Sequence, residues 1–246
     1  MTPTERLDGK RILVTGGTTG IGSAIVALLV QKGARVLTFG RHQGELDDAL
    51  AHARFGNALG DVFGLTADVT KVKDLRDIFQ AVDDKLGGLD MVVANAGLAA
   101  DPVQDSNTDE WRYVVETNFT GYLATAQPAI TRLKQAGGGH LIFIGSISAE
   151  RKSKGSSVYA ATKAGIQVYA ETLRKEVAED RIKVTWIEPG TVGSDMQEAS
   201  PEEQSEKIAR DEMLYAEELA DTVVYALTRS ARTDIVSMRV EPLLQK

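Results

Sequence analysis

Short apolar runs alternate with longer segments of helical character along this chain, and that alternation constrains the fold more than any single residue does. The runs are RILVT, RVLTF, VFGLT, LDMVVA, HLIFIG, KVTWIE and a last one near DIVSMRV. Helical patterns fill the gaps: a run ending at Lys32, Glu45 to Arg54, Lys71 to Leu86, Asp109 to Gln135, and a segment containing Tyr159. Strand–helix repetition predicts a parallel sheet, because neighbouring parallel strands need a crossover and a helix supplies it. The runs are apolar throughout instead of alternating with polar residues, as expected where helices cover both faces of the sheet. The sequence therefore predicts a doubly wound α/β fold with seven parallel strands. Gly and Pro punctuate the connections without forming a linker, so residues 1–246 read as one domain. The longest irregular stretch, Pro189 to about Glu206, is rich in Glu, Ser and Gln and reads as a lid or a solvated loop.

Composition excludes several functions. With 43% hydrophobic residues among 246, a sizeable core is available. Zero cysteines rule out disulfides and thiolate metal sites, and His42, His52 and His140 lack paired ligand spacing, so no metal is expected. The start MTPTERLDGKR has no signal-like apolar stretch, and no run approaches the roughly 18 apolar residues of a membrane span. A cytoplasmic location without membrane attachment is the expectation. The formal charge of −7, with no concentrated basic face, argues against nucleic acid and leaves small molecules or proteins as partners.

The first strand ends in TGGTTGIG, Thr15 to Gly22, directly before a helical run. Gly16, Gly20 and Gly22 would permit a tight turn, bring backbone N–H groups to a pyrophosphate, and let helix pack closely on strand. Thr18, Thr19 and Ile21 complete this candidate dinucleotide-binding stretch. A plain strand-to-helix turn could use the same glycines, and the spacing is G-x-x-x-G-x-G rather than G-x-G-x-x-G. About 20 residues further on, where an acid would hold the ribose 2′-OH of NAD, stand Gly40 and Arg41. A small residue leaves room for a 2′-phosphate and a guanidinium can bind it, so NADP(H) is the expected cofactor. The other reading makes Arg41 a solvated loop charge. Thr19 adds no second basic group.

In SSVYAATKAG, Tyr159 and Lys163 stand at i and i+4, on one face of a helix. With this pair and the glycine spacing, the chain resembles the short-chain dehydrogenase/reductase family over nearly its whole length. Further motifs follow in family order: NAG at Asn95, Ala96 and Gly97, Asn118 in ETNFTG, Ser146 in IGSISA, and PG at Pro189 and Gly190. The resemblance implies a Rossmann-type fold and a catalytic tetrad of Asn118, Ser146, Tyr159 and Lys163. Tyr159 would be the acid or base, its pKa lowered from about 10 by the charges of Lys163 and oxidised nicotinamide. Ser146 would steady the carbonyl oxygen, Lys163 would also hold the nicotinamide ribose, and Asn118 would relay protons through water. Asp68 and Val69 fall where the family contacts adenine and ribose. Val192 and Ser194 follow the PG turn, with the Ser194 hydroxyl where the family often has Thr beside the carboxamide.

Some readings stay open. Asn118, followed by Gly121 and Pro128, would also fit a helix kink, and Ser148 shares a strand face with Ser146. The tail MRVEPLLQK departs from the family's VDGG-like ending. The resemblance implies an NADP(H)-dependent oxidoreductase interconverting an alcohol and a ketone or aldehyde. A reductase of acyl-carrier-bound 3-oxo substrates and a non-catalytic dinucleotide sensor are the alternatives. It also implies a homodimer or homotetramer through the helices around Asp109 to Gln135 and Ser157 to Ala178. For the substrate, Ser148 and Arg151 are candidates, with Arg151, Lys152 or Lys154 clamping a carboxylate unless ERKSKGS is a solvated basic loop.

Overall fold

The computed structural model describes residues 4–56, 58–197 and 199–245. β1 (Arg11–Thr15) leads into α1 (Gly20–Gln31), β2 (Arg35–Gly40) into α2 (Gln43–Arg54), and β3 (Asp61–Thr66) into α3 (Val72–Ala81). The second half runs β4 (Met91–Ala94), α4 (Thr108–Val115), α5 (Gly121–Gln135), β5 (Gly139–Ile144), α6 (Ser148–Arg151) and α7 (Ser157–Val177). It closes with β6 (Ile182–Pro189), α8 (Pro201–Ala209), α9 (Ala216–Leu227) and β7 (Ser237–Val240). All neighbouring strands pair in parallel in the order β3-β2-β1-β4-β5-β6-β7. The winding direction reverses between β1 and β4, and ligands of such sheets bind outside the carboxyl ends of the strands at that reversal.

Alternate side chains of each apolar run feed two cores. Leu13, Val92, Leu141 and Phe143 face the helices α3, α5 and α7, while Ile12, Val14, Met91, Val93, Ile142 and Ile144 face α1 and α9. Each fully buried side chain of this kind stabilises the fold by about 1.5–3 kcal/mol relative to exposure. The uniform hydrophobicity of these strands is thus the result of burial on both sides.

Two helical runs differ from expectation. The segment from Asp109 to Gln135 is interrupted by a π turn at Glu116–Thr120, between α4 and α5, and α3 continues into a π turn at Val82–Leu86. Pro128 lies inside α5 without ending it. The stretch after Pro189 is less irregular than its composition suggests: Ser200 and Glu203 form a reciprocal capping box that starts α8 at Pro201.

Candidate active site

A cleft of about 350 Å³ opens at the carboxyl ends of β1, β2 and β4. Gly16, Thr18, Thr19, Gly20, Ile21 and Gly22 form its floor. Gly16 has φ +64°, and a Cβ there would lie 2.8 Å from the Ala96 Cα. A Cβ on Gly22 would lie 2.0 Å from the Gly16 carbonyl oxygen. No other residue fits either place without moving backbone. The Asn95 amide locks the turn by donating to the carbonyl oxygens of Thr15 and Gly16, at 3.2 and 2.9 Å. Thr19 is the N-cap of α1 but makes no side-chain capping bond, and the first turn of α1 carries no acid. The positive helix end therefore faces the cleft uncompensated, as a pyrophosphate site requires.

At the other end of the cleft stand Tyr159 and Lys163. Lys163 is 3% exposed. Its Nζ donates to the Ile144 carbonyl oxygen at 3.0 Å and to the Tyr122 hydroxyl at 3.4 Å, and it lies 5.7 Å from the centroid of the Tyr159 ring. Burial lowers the Lys163 pKa to about 8. Burial also raises the Tyr159 pKa, and a hydrogen bond from Ser146 pulls it back only partly. In the protein alone desolvation outweighs the Ser146 hydrogen bond, whereas the expected lowering drew also on the charge of oxidised nicotinamide. The Tyr159 ring keeps partial exposure along the cleft while its hydroxyl end is enclosed. Ser146 accepts from the Ser148 N–H at 3.1 Å, so its own proton is available to the phenol.

Asn118 is fully buried and its side chain is committed. Its Oδ1 accepts from the Leu98 N–H and its Nδ2 donates to the Leu98 carbonyl oxygen, both at 2.8 Å. The amide therefore clamps the turn after β4, and a proton relay through it would have to use its backbone. Gly97 lies beside this clamp: a Cβ there would be 3.6 Å from both Asn118 Oδ1 and Lys163 Nζ.

Arg41, Asp68, Val69, Ala96, Gly97 and Ser194 all line the cleft, as read from sequence. Gly40 lines the cleft as well, and a Cβ there would sit 2.4 Å from Thr18 Cγ2, so Thr18 packs directly against it. Pro189, Gly190 and Val192 do not line the cleft. Val192 is buried in the α1–α9 core, and Gly190 packs under the tail, where a Cβ would meet Gln245 Oε1 at 2.4 Å. Gln245 clamps the loop, accepting from the Thr191 N–H at 2.8 Å and donating to Thr191 Oγ1 at 2.9 Å.

Ser148 and Arg151 are the substrate candidates. Neither lines the cleft, and Arg151 donates to Glu241 Oε2 at 2.5 Å, turned to the tail by that ion pair. Its neighbour Glu150 pairs with Arg239, which also holds the buried Glu188 at 2.7 Å. The basic appearance of ERKSKGS is thereby offset at Arg151 by the distant Glu241, while its own acid Glu150 is drawn to Arg239. Sequence reasoning missed Tyr113, Leu98, Thr117 and Tyr122. Leu98 directly follows NAG and was within reach; the others carry no local signal, because contacts across the sheet bring them in.

The turn and its uncapped helix share one cleft with Tyr159 and Lys163, Ser146 bonding to the phenol, and together they define a dinucleotide-dependent oxidoreductase of the Rossmann type. Known proteins agree. The family model described as short chain dehydrogenase matches residues 10–205. An uncharacterised oxidoreductase of Staphylococcus aureus is 33% identical over 238 residues, 96% of this chain and 99% of that protein. A short-chain type dehydrogenase/reductase from Mycobacterium marinum superposes with a TM-score of 0.86 at 26% identity, covering 96% of each chain. A short chain dehydrogenase from Burkholderia cenocepacia, solved in complex with NADP, has a TM-score of 0.85 at 25% identity, covering 97% of this chain and 98% of that one. The chain belongs to the short-chain dehydrogenase family. Among its described residues no helix is long and apolar enough to cross a membrane, and no cluster of potential metal ligands is found.

Proposed function

We propose that this protein is an NADP(H)-dependent oxidoreductase that interconverts an alcohol and a ketone or aldehyde, with Tyr159 handling the proton. The observation that carries this reading is the shared cleft, in which Tyr159 and Lys163 stand opposite the uncapped start of α1. NADP(H), when bound, would supply or accept the hydride. Gly16, Thr18, Thr19, Gly20, Ile21 and Gly22 would hold its pyrophosphate, Asp68 and Val69 would flank its adenine, and Asn95, Ala96 and Gly97 would lie along its ribose. Ser194 would stand near the nicotinamide. Arg41 supports NADP(H) over NAD(H), and the NADP-bound Burkholderia relative is consistent with it.

Tyr159 keeps its proton at neutral pH because burial raises its pKa, which suits donation to a carbonyl oxygen. Ser146 would hydrogen-bond the same oxygen as charge develops on it, and Lys163 would keep a cation close to the phenol. Asn118 would act as a positioning residue through Leu98. The exposed apolar groove formed by Trp111, Val115, Phe119, Val158, Ala161 and Gly165 supports self-association through α4 and α7.

The decisive experiment is Tyr159→Phe, which removes one hydroxyl. Expected is a fall in kcat of at least about 10²-fold, with dinucleotide affinity by fluorescence titration unchanged. Near wild-type turnover on every carbonyl substrate that the native protein reduces would refute the reading.

A further inference from the structure

Resting on the NADP(H) reading, we infer that Tyr113 is a positioning residue that sets selectivity for 2′-phosphorylated adenosine ligands by holding Arg41. Tyr113 comes from α4, whereas Arg41 and Asp68 follow the ends of β2 and β3. The three side chains form one chain of hydrogen bonds at the rim of the cleft. The Tyr113 hydroxyl donates to Asp68 Oδ2 at 2.9 Å and accepts from Arg41 Nη1 at 3.1 Å. The guanidinium carbon also lies 5.7 Å from the Tyr113 ring centroid, within reach of the ring's negative face.

The proton count fixes the polarity of this chain. A phenol has one proton, and an ionised carboxylate can only accept. Burial pushes the Asp68 pKa up, but hydrogen bonds from Thr70 and Tyr113 outweigh it and hold the carboxyl below its ordinary value. Tyr113 therefore spends its proton on Asp68 and presents lone pairs to Arg41.

Two consequences follow for a phosphate. First, the phenol stands between cation and carboxylate, so Asp68 is free to serve adenosine without cancelling the charge of Arg41. Among the described residues Arg41 has no acid within 4.0 Å and makes no other side-chain hydrogen bond. Second, an exposed arginine gives up much rotamer freedom when it clamps a ligand, and a rigid phenol already holding one nitrogen removes part of that cost.

The test compares 2′,5′-ADP with 5′-ADP by isothermal titration on the wild type, Tyr113→Phe, Arg41→Ala and the double variant. Phenylalanine keeps the ring and loses the hydroxyl. Expected is about fivefold weaker binding of 2′,5′-ADP by Tyr113→Phe, the worth of one ordinary hydrogen bond, with 5′-ADP changed less than about twofold. In the Arg41→Ala background the same substitution should leave the ratio of the two affinities unmoved, since the coupling partner is gone. Binding of 5′-ADP doubles as the check that each variant is folded. Unchanged 2′,5′-ADP affinity, or equal weakening of both ligands, overturns the role of Tyr113 while leaving the NADP(H) reading intact. A wild-type protein that does not distinguish the two ligands overturns the NADP(H) reading itself.

Discussion

Replacing Lys163 with Met should make the protein inactive and more stable at the same time. In the fold the ammonium is buried, and its pKa falls from 10.5 to about 8. That difference of roughly 2.5 units, at 1.36 kcal/mol each, means that keeping the side chain charged at pH 7 costs the folded state about 3 kcal/mol. Met has a similar length and no charge. Its introduction strands no acceptor, because the Ile144 carbonyl oxygen still receives the Tyr122 hydroxyl at 2.9 Å. The sign follows from proton binding: between pH 8 and 10.5 the unfolded chain holds more protons on Lys163 than the folded one, so wild-type stability rises with pH across that window. The penalty is complete below about pH 8 and gone above 10.5. Urea denaturation should therefore give a gain of about 2–3 kcal/mol for Lys163→Met at pH 7, shrinking toward zero at pH 10.5. A variant less stable than wild type at pH 7 would show that the ammonium's hydrogen bonds outweigh its desolvation.

His140 provides a parallel case at lower pH. It is 1% exposed, Nε2 meets Thr185 Oγ1 at 2.7 Å, and burial, with help from Lys183, lowers its pKa from 6.5 to about 3. The unfolded state binds more protons as pH falls below 6.5, so wild type should lose about 2 kcal/mol between pH 7 and pH 5 that His140→Leu does not; equal losses in urea titrations would refute this. Arg239→Ala should lower stability by about 1–2 kcal/mol, because among the described residues the 5%-exposed Glu188 keeps only Trp186 and Gln167 as donors. Adding Glu188→Gln should recover part of the loss, and thermal melts that show no recovery would remove the buried-charge explanation. Val168, 66% exposed, continues the apolar face of α7, so Val168→Asp should reduce the mass seen by light scattering; a wild type already at 26.5 kDa at all concentrations would exclude self-association.

The seven strands were legible because burial on both faces writes itself as uninterrupted apolar runs. Gly16 and Gly22 were legible for a similar reason: the backbone approaches so closely there that composition has no choice. What stayed hidden depends on pairing between distant segments. Arg151 looks like a free cation within ERKSKGS, yet its partner Glu241 lies 90 residues away. That Thr18 packs against Gly40 is likewise invisible until the fold brings the two together. The burial that raises the Tyr159 pKa was hidden too, because local charge can be read from sequence, whereas the depth at which a phenol is enclosed cannot.

The π turn at Glu116–Thr120 sets a phase relation along its helix. A π turn amounts to one extra residue in an α-helix, and each residue rotates the helix by about 100°. The extra residue lets α4 present Tyr113 to Arg41 and Asp68 while Asn118 meets Leu98 and Tyr122 meets Ile144. Removing one residue from this turn would swing everything on one side of it by about a quarter of a revolution relative to the other. The rim at Arg41 and Asp68 and the support of Lys163 are thus geared together by a single insertion, and a length change there would disengage one from the other.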